Sequence, residues 1–102
     1  MPTSDPILIC GGGLGGLTMA LALARRGWRS RVLEGAGEFG AIGYGIQFGP
    51  NVFHVFDRIG LRDAVLATSD APSALLMFDA LNGKEVTRVP TGASLRDRFK
   101  YP

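Results

Sequence analysis

A single cysteine, Cys10, excludes an internal disulfide framework and makes a reducing compartment the easier reading. With that one thiol and with His54 as the only histidine, a Cys/His zinc site is excluded as well, and no metal is expected. No apolar run reaches the ~18 residues that a membrane-spanning helix needs, so no membrane partner is expected. The opening residues, MPTSDPILIC, lack the basic stretch of a secretory signal, which leaves a cytoplasmic location as the expectation. Excess charge is scarce too. Eleven Lys+Arg against nine Asp+Glu give a net +2, too little to imply nucleic acid. The cations are mostly Arg, in small groups at 25–31 and 96–98 rather than in a continuous patch. There is no internal repeat and no low-complexity tail.

Glycine, by contrast, is abundant: 15 of 102 residues, about twice the ordinary ~7%. Five fall within 11–16 and six within 35–49, and such clustering points to backbone that must approach something closely. Ile7 to Cys10 reads as a buried parallel strand, apolar on both faces. Leu14 to Arg26 follows as a helix, with Leu14, Leu17, Leu21 and Ala24 in one stripe and Ala20, Ala22 and Leu23 widening it, so it should be largely buried. Gly27 supplies its left-handed stop. Arg31 to Glu34 is a second strand, which completes a βαβ unit.

The glycine-rich stretch 35–49 interleaves with Phe39, Ile42, Tyr44, Ile46 and Phe48 and reads as extended backbone lying along a ligand. Pro50 starts a second helix and Gly60 stops it, with Val52, Phe53, Val55, Phe56 and Ile59 as its apolar face. A shorter helix is expected over Leu61 to Ala67. Ala74–Asp79 and Lys84–Val89 read as a hairpin about a two-residue Asn82-Gly83 turn. Thr91 to Pro102 shows no period. A simple doubly wound dehydrogenase domain would continue β-α-β-α after Glu34, and this chain does not.

Gly11-Gly12-Gly13-Leu14-Gly15-Gly16 satisfies G-x-G-x-x-G in its required setting: strand before, apolar helix after, second strand, acid at that strand's end. Gly11 permits the tight turn, Gly13 leaves the backbone open to a pyrophosphate, and Gly16 lets helix and strand pack closely. Amides around Leu14, Gly15 and Gly16 then face the phosphates at the positive end of the helix dipole. Glu34, 18 residues past Gly16, is placed to accept hydrogen bonds from a ribose diol. The structural alternative is a tight turn with Glu34 as a solvated strand end. A carboxylate at 34, followed by Gly35 rather than Arg, disfavours NADP at this site.

The other candidates are weaker. His54 reads as a surface or helix-end histidine without an acid–base partner. Cys10 reads as a small buried residue of low reactivity. Asp57 and Arg58 are expected on the outer face of the second helix, and Arg96, Arg98 and Lys100 in a solvated cationic turn. Tyr44 and Phe48 either line an aromatic pocket or simply pack the glycine loop. Gln47 is the one amide there that could meet a ring edge.

ILICGGGLGGLTMALALARRGWRSRVLEG resembles the amino-terminal segment of the single-component, FAD-dependent aromatic hydroxylases. GAIGYGIQFGPNVFHVFDRIGLRDAV resembles the G-x-G-I-x-L-x-P-N…L-x-x-x-G-L region that follows the ribose acid in that family, most like the 3-hydroxybenzoate 6-hydroxylases, with salicylate hydroxylases close behind. The resemblance implies an α/β fold: the N-terminal βαβ of a Rossmann-like FAD-binding domain of glutathione-reductase type, followed by two helices and a β-hairpin. Residues 1–102 would form the first part of that domain, with the hairpin at 73–90 beginning the sheet of the substrate domain. Gly11, Gly13, Leu14, Gly15 and Gly16 would hold the FAD pyrophosphate, and Glu34 the adenosine ribose. Gly45, Ile46 and Gln47 would lie near the isoalloxazine ring.

In such enzymes NADH or NADPH reduces the flavin, and dioxygen then supplies an oxygen atom to a phenolic ring, converting 3-hydroxybenzoate to gentisate or acting on a salicylate-like acid. The partners implied are an aromatic acid, dioxygen and, at full length, a possible second copy. The family's Asp-Gly and later Gly-Asp motifs and its acid–base residues are absent, so no catalytic residue is assigned and the chain reads as the beginning of such an enzyme, inactive alone. Two strands and one helix cannot bury both faces of a sheet, so weak FAD binding or none is expected of residues 1–102 by themselves. An NAD-binding dehydrogenase or nucleotide-sensing domain remains the alternative, since the fingerprint and the acid serve NAD equally; the glycine loop and the broken alternation argue against it. An inactive truncated relic is the third reading.

Overall fold

A computed structural model describes residues 5–40, 43 and 45–102. The chain divides into two compact units, Met1–Gly45 and Ile46–Pro102, each taken by itself.

The first unit is the expected βαβ. Strand β1 (Ile7–Cys10) pairs in parallel with β2 (Ser30–Leu33), from Ile7 opposite Ser30 to Cys10 opposite Leu33. Helix α1 (Leu14–Arg25) connects them. Its end is set by Gly27 at φ +77°, which lets the Gly27 and Trp28 amides turn back to the carbonyls of Ala24 and Leu23 at 3.0 Å each. The expected burial does not follow. No residue of α1 is buried, Leu8 is 61% exposed, and Cys10 is exposed rather than packed. The reason is simple geometry: within this unit two strands and one helix leave a sheet face and both strand edges without protein against them.

The second unit holds the aromatic core. Helix α2 (Pro50–Ile59) begins with Pro at its first position and ends at Gly60, φ +75°, where the Gly60 and Leu61 amides close on Asp57 and Phe56 carbonyls. It buries Phe53, Phe56 and Ile59, spaced by three. Val55, expected on the apolar face, is 41% exposed because it sits about 200° around the helix from Phe53. Phe56 meets Phe48 and Phe53 edge to face at 5.1 and 5.7 Å, and Tyr101 stacks on Phe53 at 6.4 Å. Helix α3 (Arg62–Ala67) follows, one residue later than expected.

Strands β3 (Ala74–Phe78) and β4 (Glu85–Pro90) form an antiparallel hairpin with an irregularity at Met77/Phe78. Its turn differs from the expectation. The Asp79 amide donates to the Lys84 carbonyl at 2.8 Å, so four residues, 80–83, are enclosed rather than two. The Asp79 carboxylate accepts from the Leu81 amide and the Asn82 side chain, at 2.7 and 3.0 Å, and this local acceptor favours the longer loop. Helix α4 (Gly92–Phe99) occupies the stretch that showed no period. Among the described residues no helix is long and apolar enough to cross a membrane.

Candidate functional site

The bend from β1 into α1 is built by glycines with two different jobs. Gly11 holds φ +102°, a conformation that L side chains rarely adopt, while its amide extends the ladder to the Leu33 carbonyl at 2.7 Å. A Cβ on Gly16 would lie 1.9 Å from the Gly11 carbonyl oxygen and 3.4 Å from Ile9 Cγ2, so the close seat of helix on strand requires glycine there. Gly13 and Gly15 differ. A Cβ on either would meet nothing within 4 Å. Among the described residues no packing explains these two glycines, and the open space lies at the start of α1. Gly13 is the N-cap, with no side chain to cap the helix, so the first-turn amides of Leu14, Gly15 and Gly16 have no side-chain acceptor there. A negatively charged diphosphate fits that donor set and the dipole behind it.

Glu34 stands beside this bend. One carboxylate oxygen accepts from the Gly12 amide at 2.6 Å, the other from the Ala36 amide at 2.8 Å. Hydrogen bonds from Ala36 and then Gly12 hold its carboxyl below the usual glutamate range, against an opposing effect of burial that outweighs the lesser bond from Gly35. Each oxygen keeps lone-pair capacity for a hydroxyl donor. Gly12, given no role in the sequence reading, is the buried pivot of this pair: a Cβ there would lie 2.9 Å from the Glu34 carboxylate and 2.7 Å from the Phe39 ring. The signal was a glycine, the middle one of three in a row, at a position the motif leaves free.

A pH dependence follows. The folded value lies below the unfolded one, so ionised Glu34 favours the folded turn above the ordinary carboxylate range, and that contribution is lost as pH falls through the lowered value. In a carbon-detected NMR titration, the Glu34 carboxyl and the Gly12 amide should move together, with an inflection below the ordinary glutamate value of about 4.3. An inflection above it would contradict the hydrogen-bonded turn.

The remaining candidates are dispersed. Gly45, at φ +141°, closes the first unit; Ile46 and Gln47 open the second. There Ile46, Gln47 and Phe48 line a cleft of about 690 Å³ together with Leu66, Leu75 and Leu95. Ile42 and Tyr44, read above as part of the glycine loop, lie outside the described residues.

His54 and Asp57 are exposed, as expected, but both have partners that the sequence did not suggest. Asp57 lies three residues beyond His54 and is not a free outer-face carboxylate: it accepts from the Tyr101 hydroxyl at 2.7 Å and pairs with Arg62 at 3.4 Å. His54 sits edge-on to the Tyr101 ring at 4.6 Å. This cluster explains packing, not chemistry on a substrate. Among the described residues no group of three or more His, Cys, Asp or Glu could hold a metal ion.

Residues 5–97 match the model of the FAD binding domain family. The chain is 48% identical over 101 residues to a 3-hydroxybenzoate 6-hydroxylase of Polaromonas naphthalenivorans (strain CJ2), covering 99% of this chain and 25% of the relative. It is 45% identical over 96 residues to 3-hydroxybenzoate 6-hydroxylase 1 of Aquipseudomonas alcaligenes, covering 94% and 24%. It is 37% identical over 86 residues to a 6-hydroxynicotinate 3-monooxygenase of Bordetella bronchiseptica, covering 84% and 22%. The chain belongs to the FAD binding domain family and spans about a quarter of the length of these relatives.

Proposed function

We propose that this chain supplies the pyrophosphate- and ribose-binding part of an FAD-dependent aromatic-ring monooxygenase, as the Rossmann-like opening of a glutathione-reductase-type domain. The observation that carries this reading is the pair of glycines, Gly13 and Gly15, that no neighbour among the described residues requires, set at an uncapped helix start beside Glu34. Gly11 and Gly16 shape the bend; the amides of Leu14, Gly15 and Gly16 bind the diphosphate; Glu34 binds the adenosine ribose. Gly45, Ile46 and Gln47 belong to the flavin-ring end of the site, where small or backbone groups permit close approach. The hairpin of β3 and β4 begins the substrate-domain sheet.

When bound, FAD supplies the redox and oxygen chemistry, and the residues here hold and orient it. The names of two relatives, both 3-hydroxybenzoate 6-hydroxylases, support a phenolic acid such as 3-hydroxybenzoate as substrate; the reaction proposed with it gives gentisate, with NADH or NADPH as reductant and dioxygen as co-substrate. A cytoplasmic homodimer is the setting proposed for the full-length enzyme. The NAD-dehydrogenase alternative is not favoured, because the matching family is named for FAD.

The test is a chimaera in which this chain replaces the matching quarter of the Polaromonas relative. It should purify with flavin and oxidise NADH or NADPH on addition of 3-hydroxybenzoate. Glu34→Gln in that background keeps the amide contacts poorly and weakens the ribose grip. A loss of about 1.5–3 kcal/mol in FAD binding is expected, read by flavin fluorescence. A folded chimaera without flavin, or full retention of flavin by Glu34→Gln, would overturn the assignment.

A further inference from the structure

On the second unit, apart from every residue assigned to the flavin above, three cations from two helices border one shallow cleft. Arg62 comes from α3, Arg96 from α4, and Lys100 from the residue that ends α4. The cleft measures about 280 Å³, and Leu66 and Tyr101 also line it. Like charges brought to one cleft repel one another unless an anion sits among them. Arg62 is partly neutralised, by Asp57 at 3.4 Å and by Asp63, itself on the cleft, at 3.1 Å. Among the described residues, Arg96 and Lys100 have no carboxylate within ion-pair distance.

A second observation concerns the backbone. Lys100 stands at φ +72°, the one non-glycine residue with a positive φ among those described. Two of the other helices place a left-handed glycine there, Gly27 after α1 and Gly60 after α2, whereas α3 ends on Thr68 at φ −113°. A lysine there is strained, and the conformation holds its ammonium 5.9 Å over the Tyr101 ring, at the cleft.

We propose that the cleft bordered by Arg62, Arg96 and Lys100 binds a phosphoryl dianion, either free phosphate or the phosphate of a nucleotide. The Arg96 guanidinium fork matches phosphate oxygens in paired hydrogen bonds, the Lys100 ammonium adds a point charge, and Arg62, whose Nε and Nη1 are held by Asp63 and Asp57, adds its remaining N–H donors. The site stands whether or not the flavin reading does, because none of its residues belongs to that site.

The experiment titrates the ¹⁵N-labelled chain with inorganic phosphate against sodium chloride at equal ionic strength. Saturable shifts of the Arg62 side chain and of the amides of 96–101 are expected with phosphate alone. Arg96→Gln and Lys100→Gly should each weaken phosphate about fivefold or more, since each removes one charge-assisted partner. Lys100→Gly relieves the left-handed strain, so its loss of binding is read on a folded protein. Arg98→Gln is the control: its guanidinium lies over the Phe99 ring at 5.2 Å and does not line the cleft. Equal shifts with chloride, an effect of Arg98→Gln as large as that of Arg96→Gln, or unchanged binding in Lys100→Gly would each overturn the proposal. In a second arm, 2′-AMP binding more tightly than phosphate, with adenosine inert, assigns the site to a nucleotide. Equal binding assigns it to free phosphate.

Discussion

Gly16→Ala should unfold the βαβ unit, whereas Gly13→Ala and Gly15→Ala should leave it folded and cost only flavin. The added methyl at 16 would sit 1.9 Å from the Gly11 carbonyl oxygen, and that oxygen is backbone, fixed in the turn that joins β1 to α1. Relief requires α1 to move off the strand by more than an ångström. Overpacking of this kind costs about 1–3 kcal/mol, and more when the obstacle cannot rotate away. The gain in helix propensity from Gly to Ala, about 1 kcal/mol, is too small to offset it. A unit that buries no residue of its helix has little to spare. The measurement is the dispersion of the ¹H–¹⁵N spectrum over residues 7–33, which should collapse in Gly16→Ala and persist in the other two.

Gly15→Ala should even stabilise α1, by up to about 1 kcal/mol. In the chimaera both tolerated variants should lose FAD affinity, because their methyls enter the space left for the diphosphate. If all three variants behaved alike, the division between glycines required by packing and glycines required by ligand would be wrong.

Tyr101→Ala should unfold the second unit. Tyr101 is 5% exposed, stacks on Phe53, meets His54 edge-on and donates its hydroxyl proton to Asp57. Removing a buried aromatic ring costs about 3–5 kcal/mol, comparable with the whole stability of a unit this small. Tyr101→Phe separates the ring from the hydroxyl. It should cost about 1 kcal/mol in denaturant titration, since water can replace the lost donor at a carboxylate whose side chain is 39% exposed.

Tyr101→Phe also changes both ends of the pH profile. The Tyr101 hydroxyl, then Arg62 and Lys100, hold the Asp57 carboxyl below its usual range; the hydrogen bond to Asp57 and burial push the Tyr101 hydroxyl above its own. Folded Asp57 therefore loses its contribution as pH falls through its lowered value, and folded Tyr101 loses its contribution as pH rises through its raised one. Tyr101→Phe should flatten both flanks. Unchanged flanks would show that the pair does not couple to folding.

Local signals were legible in the sequence. Gly27 and Gly60 ended their helices where the hydrophobic stripe stopped, Pro50 opened α2, and the fingerprint placed the bend and the acid. Contacts between residues far apart in the chain were not legible. Nothing in the string ties Asp57 to a tyrosine 44 residues on, nor the Gly12 amide to a carboxylate 22 residues on. Helix α4 was missed because it opens on Gly92 and has apolar residues only at Ala93, Leu95 and Phe99, too few for a stripe. The hairpin loop was misjudged because Asn-Gly alone suggests two residues, while Asp79 captured its neighbours' donors and lengthened the turn. The burial of β1 and α1 was overestimated because periodicity identifies a face and not what covers it.

The bare margins of the two-stranded sheet have a practical side. Ile7, Leu8 and Leu33 are all exposed, on a sheet whose two outer edges have no partner strand among the described residues. Such rims template pairing between molecules. Purified chain should therefore cluster as it is concentrated, with light scattering rising and parallel-strand infrared signal growing.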